Sequence, residues 1–347
     1  MELLVPTPEG LYCPQGDFHV DPWRGVKRAV ITHAHADHAR WGSQAYLCST
    51  EGEAVLRTRL GSGARIQSVG YGQVLQLGEV RLSLHPAGHI LGSAQVRIEY
   101  RGQVWVVSGD YKTEPDRTAT AFQPVRCHTF ITECTFGLPV YRWQPQLEVM
   151  EQVNRWWQQN QTEGRTSVLF AYSLGKAQRL LAGVDASIGP LVVHGAVASL
   201  NAAYQQSGVD LPTAHHLVND LNTLDLSQAL VVAPPNAENT PWMRRFKQPS
   251  TAFASGWMQV RGMRRRRNLD RGFVLSDHAD WPGLLQAIAD TGAERVLATH
   301  GYIDPLVRYL QEVKGIDAAP LPTLFGAEED GADPEATPTE DPAPTPA

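Results

Sequence analysis

The sequence predicts a mixed α/β protein, with sheets sandwiched between helices and a second α/β unit inserted into the chain. Three observations predict it. Short apolar strands separated by glycine-rich turns fill residues 1 to about 110. From about Pro145 the texture changes to alternating helix and strand, the pattern of a parallel layer. Motifs rich in histidine and aspartate lie near the start and return after Gly272, so one body is interrupted and then resumed.

The elements follow in order. Val26–Thr32, Val80–His85, Ala94–Tyr100 and Val104–Gly109 read as strands, divided by turns such as Gly70-Tyr71-Gly72 and Arg101-Gly102. A helix is expected after the first histidine cluster and another over Thr50–Leu60. Gln146–Gln159 carries Leu147, Met150, Val153, Trp156 and Trp157 at helical spacing, and the tryptophan pair is expected to pack cap against body. Ser167–Tyr172 is an apolar strand, and Ser173–Leu181 reads as a capped helix. Pro190–His194 and Ala229–Ala233 add two short strands.

Composition limits the function. With 347 residues, 42% of them apolar, the chain can bury a large core. No stretch approaches the roughly 20 apolar residues of a membrane span. The first residues lack a basic region followed by a long apolar one, so no signal peptide is expected. Cys13, Cys48, Cys127 and Cys134 are scattered without a C-x-x-C pair, which suits reduced thiols in a cytoplasmic protein. The formal charge of −6 is concentrated at one end. Residues 326–347 hold seven of the 36 acids and no base, and they are rich in Pro, Ala and Thr, so a disordered acidic tail is expected. Without them, 30 basic residues face 29 acidic ones, and affinity for an anionic partner must come from local charge.

The densest chemistry is Thr32-His33-Ala34-His35-Ala36-Asp37-His38, after the apolar run Ala29-Val30-Ile31. In an extended segment, residues two apart point the same way, so His33 and His35 can chelate one metal. If the chain then turns, Asp37 and His38 project toward a second metal. Imidazole and carboxylate suit zinc, with manganese or iron as other occupants. Two metals need more ligands. His89 in a glycine-flanked loop, Asp110 after Val106-Val107-Ser108-Gly109, and His300 after the strand Arg295–Thr299 each sit where an apolar strand gives way to a loop. Ligands can converge there on a rigid sheet.

The order H-x-H-x-D-H, then His89, then Asp110, resembles the metallo-β-lactamase fold. Glu133 in Thr132-Glu133-Cys134, His278 in Ser276-Asp277-His278 and His300 in Thr299-His300-Gly301 resemble the three extra motifs of the β-CASP nucleases. Ala254-Ser255-Gly256-Trp257-Met258, Arg264–Arg267 and Asp270 through His278 are similar to the bacterial ligase-associated DNA exonucleases. The resemblance implies a four-layer αββα sandwich formed by residues 1–140 and 268–325, with a β-CASP cap at 141–267. It implies that His33, His35 and His89 hold metal 1, that Asp37, His38 and His300 hold metal 2, and that Asp110 bridges them. Glu133 would orient His278 toward the scissile phosphate.

The chemistry so implied is two-metal hydrolysis of a phosphodiester, with zinc or manganese ions about 3.5–4 Å apart. His278 would either protonate the leaving 3′ oxygen or hydrogen-bond a phosphate oxygen, and Asp37 would double as a proton acceptor. Arg261, Arg264, Arg265, Arg266, Arg267 and Arg271 fall within eleven residues and match phosphate oxygens, or else form a solvated basic face. Ser173 and Lys176 open a helix and offer a phosphate site or an ordinary cap. His194 is expected to line a cleft between domains or to be a satisfied edge histidine. DNA is the expected substrate, with an ATP-dependent DNA ligase and a helicase as partners implied by the resemblance. His300 at the third motif is more typical of RNA enzymes, so an RNA-processing β-CASP ribonuclease stands as the alternative. A small-molecule metallohydrolase needs neither the insertion nor the arginines, and a non-catalytic binding module would ordinarily have lost a ligand.

Overall fold

The computed structural model describes residues 2–217, 224–260 and 270–323, and the statements below concern these residues. The acidic tail from residue 326 and the arginines at 261 and 264–267 lie outside them. The described residues divide into two compact units, one formed by those up to 142 and from 277 onward, the other by those between 143 and 276.

The first unit holds two sheets. In one, β1 (Val5–Thr7), β2 (Gly10–Cys13), β3 (Phe18–Val20), β4 (Ala29–Val30), β5 (Tyr46–Ser49) and β6 (Ile66–Val69) lie in sequence order. The first three are antiparallel, and the rest pair in parallel. The second sheet begins as an antiparallel meander of β7 (Leu75–Leu77), β8 (Val80–Pro86), β9 (Ala94–Tyr100) and β10 (Gln103–Val107). It continues in parallel through β11 (Thr129–Cys134) to β18 (Arg295–Gly301) and β19 (Asp317–Pro320), which the chain reaches only after passing through the second unit.

Side-chain alternation fixes how these sheets bury. Residues along a strand point to opposite faces in turn. Val107, Val96 and Leu82 of the second sheet share one apolar cluster with Val20, Val30 and Leu47 of the first, so the two sheets face each other. Val106, Phe130 and Val296 point the other way. They meet Leu284 and Ile288 of helix Trp281–Thr291, and Leu306 and Leu310 of helix Ile303–Glu312. Helix α1 (Glu53–Leu60) buries Val55, Leu56 and Leu60 beside β6.

The second unit is one sheet in the order β14 (Ala214–His216), β13 (Leu191–Val193), β15 (Leu230–Ala233), β12 (Ser167–Phe170), β16 (Ser250–Ala254), β17 (Arg271–Phe273). Every pairing is parallel. Such sheets need both faces covered. On one face Leu169, Val193 and Ala252 pack against α2 (Gln146–Thr162), α3 (Lys176–Gly183) and α4 (Gly195–Gln206). On the other, Val168, Phe170 and Val231 meet Trp242, Phe246 and Met258.

Three expectations need correcting. The segment after the histidine cluster is a single turn and not a helix: the His38 and Ala39 amides both donate to the His35 carbonyl, and Gly42 then takes a positive φ of 98°. The tryptophan pair packs inside the second unit's own core. Trp156 donates to Ser250 Oγ at 3.1 Å and Trp157 to the Gln228 carbonyl at 3.0 Å. The return to the first unit falls at Asp277 and not at residue 268, because β17 completes the second unit's sheet.

Leu82, wholly buried between the two facing sheets, tests this packing. Leu82→Ala should cost about 2–5 kcal/mol and move urea unfolding to a lower midpoint. An unchanged midpoint would contradict a shared core.

Candidate metal centre

All seven expected ligands, together with Glu133 and His278, lie in the first unit. The chain delivers each from a strand end. His33 to His38 follow β4, His89 follows β8, Asp110 follows β10, and His300 is within the last residues of β18. Three groups of ligand atoms converge within 4.8 Å: His33, His35, His89 and Asp110; Asp37, His38 and His300; and Asp110, Glu133 and His278.

Asp110 divides the histidines. Its Oδ2 lies 3.5 Å from His33 Nε2 and 3.8 Å from His89 Nε2. Its Oδ1 lies 3.5 Å from His300 Nδ1 and 3.6 Å from His38 Nε2. A carboxylate so placed can hold one cation on each oxygen.

The hydrogen bonds behind the ligands fix which ring nitrogen is bare. A neutral imidazole has one N–H and one lone pair. The Asp277 carbonyl can only accept, so His89 Nδ1, at 2.9 Å, carries the proton and Nε2 is left as an acceptor. His38 Nδ1 donates to Asp21 Oδ2 at 2.7 Å. The Thr32 hydroxyl gives its one proton to Asp21, so at His33 Nδ1, 3.0 Å away, it can only accept. His33, His38 and His89 therefore all turn Nε2 toward the centre. His35 Nδ1 then meets two bare nitrogens, His33 Nε2 at 3.1 Å and His89 Nε2 at 3.0 Å. One proton cannot satisfy three converging nitrogens as well as a cation does, so this donor set fits a metal with imidazole preference.

Charge supports the second position as well. Burial pushes the His38 pKa down, but the carboxylates of Asp37, Asp110 and Asp21 outweigh it and hold the imidazole at about 10. Burial likewise opposes a charge on His300, and Asp110 and Asp37 overcome it. These carboxylates favour positive charge at the His38 and His300 nitrogens, whether proton or metal. At the first position the balance is reversed. Burial and the neighbouring imidazoles outweigh Asp110, so His33 and His89 are held well below the ordinary histidine value, neutral and ready to ligate. Burial would raise Asp110, but the imidazoles of His38 and His33 drive it well below the carboxylate range.

Backbone geometry places His300. β11 and β18 run in register up to Glu133 and Thr299, after which Cys134 pairs with Gly301, and His300 is the extra residue of a bulge with φ of 57°. A bulge re-aims a side chain. Gly301 makes it possible, because a Cβ there would lie 2.3 Å from the Cys134 carbonyl oxygen.

Glu133 is buried and accepts four hydrogen bonds. Oε1 takes the Tyr111 amide at 3.1 Å and His278 Nδ1 at 2.8 Å. Oε2 takes the Thr135 amide at 2.9 Å and its hydroxyl at 2.6 Å. The His278 ring lies 4.6 Å from that of His89.

The expected nucleic-acid contacts meet local partners in the second unit. Ser173 and Lys176 are buried, and the Lys176 ammonium lies 4.2 Å over the Tyr172 ring. His194 caps α4, accepting from the Ala196 amide at 3.2 Å, and its ring contacts Trp242. Arg271 is exposed, with its guanidinium 5.1 Å over the Phe273 ring.

Asp21 and Thr32 are the supporting residues that motif spacing missed. Asp21 accepts from the Thr32 amide at 2.7 Å as well as from its hydroxyl and from His38. The available signal was an acid directly after the alternating strand Phe18-His19-Val20, where burial is expected on one face.

No protein-family model matches the sequence. Over 313 residues the chain is 34% identical to a protein of Opitutus terrae named probable DNA ligase, covering 89% of this chain and 30% of that protein. It is 25% identical over 173 residues to the endoribonuclease YSH1 of Saccharomyces cerevisiae, covering 46% of this chain and 22% of the relative. It is 28% identical over 188 residues to the cleavage and polyadenylation specificity factor 73 of Drosophila melanogaster, covering 48% and 27%. The chain thus spans less than a third of each of these relatives. Among solved structures, a protein of unknown function from Enterococcus faecalis matches with a TM-score of 0.57 at 12% identity, over 86% of this chain and 80% of that one, a likeness of fold.

Asp21→Asn keeps the size of the side chain and weakens its hold on His38 and Thr32. Outer partners of this kind cost about 10–100-fold in metal affinity. Zinc titration of chelator-stripped protein should show that loss; equal affinity would remove Asp21 from the support. Gly301→Ala should lower metal content at the second position and destabilise the fold by more than about 1 kcal/mol, read by elemental analysis and thermal unfolding.

Proposed function

We propose that the chain is a two-metal phosphodiester hydrolase acting on nucleic acid, and more narrowly a DNA exonuclease. In this reading the first unit is the αββα metallo-β-lactamase sandwich and the second is the β-CASP cap. The observation that carries it is Asp110, whose two oxygens each face a separate pair of imidazoles, beside the buried Glu133–His278 pair. Relatives named endoribonuclease support nuclease chemistry.

Two divalent ions at this site, zinc or manganese, would supply Lewis-acid stabilisation of phosphate oxygens and activation of water. His33, His35 and His89 would hold one, Asp37, His38 and His300 the other, with Asp110 between them. The protein's own residues do the rest. Glu133 fixes His278 through Nδ1 and leaves Nε2 for the phosphate. As an imidazolium, which a carboxylate on Nδ1 stabilises, His278 would donate to a phosphate oxygen or to the departing 3′ oxygen. Asp37, less buried than the other ligands, is the side chain best placed to exchange a proton with solvent.

The relative named probable DNA ligase, matched along most of this chain, favours DNA and a setting beside an ATP-dependent ligase, with a helicase implied by the motif resemblance. The endoribonuclease names and His300 favour RNA as the second reading. The arginines at 261, 264–267 and 271 remain the proposed backbone contacts, whereas Ser173 and Lys176 are buried and His194 caps a helix, and a cytoplasmic site of action is part of the same reading. Among the described residues no helix is long and apolar enough to cross a membrane.

Purified protein should release nucleotides from 5′- or 3′-labelled single- or double-stranded DNA with manganese or zinc. A large preference for matched RNA would overturn the DNA assignment. Asp110→Ala should lower cleavage by more than the about 100-fold upper range seen for outer partners, while circular dichroism stays unchanged. Full activity in that variant would sink the two-metal assignment.

A further inference from the structure

Trp41 is the one aromatic among the large apolar side chains that stand exposed in the described residues, at 64%. A ring of that size is ordinarily buried for what it contributes to a core. Single exposed apolar residues are common and need no explanation by themselves. Three further features set this one apart.

The first is position. Trp41 follows the candidate ligands Asp37 and His38 by four and three residues, and the Arg40 guanidinium closes the turn on the Asp37 carbonyl at 3.4 Å. The second is rigidity. The Tyr46 hydroxyl donates to the Arg40 carbonyl and accepts from the Ser43 amide, both at 3.0 Å, so one side chain brackets the backbone on either side of the tryptophan. Gly61 adjoins the ring, since a Cβ there would lie 3.3 Å from Trp41 Cη2. The third is charge. Three loops meet here. Gly25 abuts the Gly42 backbone, the Gln44 amide donates to the Val26 carbonyl at 2.8 Å, and the loop at 61–65 adjoins the ring. Arg24, Arg40 and Arg65 lie on these loops, are exposed, and form no ion pair with a described residue.

An exposed indole on a fixed backbone, with exposed guanidinium groups around it that form no ion pair with a described residue, matches single-stranded polynucleotide. Bases stack on an aromatic ring whatever their sequence, and arginine takes the phosphates between them. We propose that Trp41 is a base-stacking platform for a single strand at the metal centre, with Arg24, Arg40 and Arg65 as its phosphate contacts. The inference rests on the nuclease reading above for the identity of its ligand. It adds a substrate-binding surface that no motif marks.

The test uses the full-length, metal-loaded protein and three probes: a phosphorothioate dT oligonucleotide, the same length of abasic strand, and the uridine counterpart. Wild type should bind dT more tightly than the abasic strand, and Trp41→Ala should lose about tenfold or more in dT affinity and lose that discrimination. Trp41→Phe should recover most of it. Turnover of bis(p-nitrophenyl) phosphate, which has no base to stack, should match wild type in all variants. Unchanged dT affinity in Trp41→Ala overturns the proposal. So does an equal loss on dT and abasic strands, and so does a loss of self-association with oligonucleotide binding intact, which would assign the ring to a second copy. If wild type does not hydrolyse the small diester while Trp41→Ala still loses dT binding, the nuclease reading fails and the platform stands. The uridine arm reports whether the surface prefers RNA.

Discussion

The first unit is organised around a buried carboxylate, Asp110, set among four imidazoles. Its two oxygens cannot be left among neutral groups without large cost, because removing the partners of a buried charge costs about 3–5 kcal/mol. His38 and His300, which the carboxylates favour as cations, meet that demand at one oxygen, and the neutral His33 and His89 face the other, where a bound cation would meet it. The ends of β4, β8, β10 and β18 must therefore come together in space, and the two facing sheets are what bring them there.

That demand would still be ambiguous if the rings could choose their tautomers. They cannot. Asp21, the Thr32 hydroxyl and the Asp277 carbonyl each hold the Nδ1 proton of a different histidine, so three Nε2 atoms are directed inward before any ligand arrives. The same logic recurs at His278, where Glu133 takes the Nδ1 side. Glu133 in turn is held by the Thr135 amide and hydroxyl, from the segment that leaves β11, and by the Tyr111 amide beyond β10. The rings are thus oriented by backbone and short side chains of the strand ends, and not by long flexible groups. Positioning of that kind keeps its geometry when the chemistry changes charge at the centre.

Much of this was legible in the sequence. Strand ends announced themselves as apolar runs giving way to His, Asp or Gly, and Ala94–Tyr100 appears with the bounds its pattern suggests. The cluster of candidate ligands was legible because imidazole and carboxylate at short spacing have few other uses. What was not legible depends on contacts between distant segments. Asp21 lies eleven residues before Thr32 and seventeen before His38, so no local pattern ties it to them. The turn after His35 reads as a helix because Ala34, Ala36 and Ala39 favour one, and tertiary demand on Asp37 and His38 overrode that propensity. The bulge at His300 is invisible for the same reason: its register is set by β11, some 165 residues away.

The two units carry their chemistry differently, and their sheets explain why. The first unit mixes antiparallel and parallel pairing, and its candidate ligands stand beyond the ends of strands of both kinds. The second unit is wholly parallel and covered on both faces, so its cationic and polar residues are drawn into the packing. Lys176 lies over Tyr172, Arg179 donates to the Ser276 carbonyl at 2.9 Å, and His194 caps a helix. Cations that already hold the fold together are poor guides to a ligand when read from sequence alone. Arg24 and Arg65 on the loops around Trp41 are exposed and form no ion pair with a described residue, and a charge the fold does not consume is left to act on a partner.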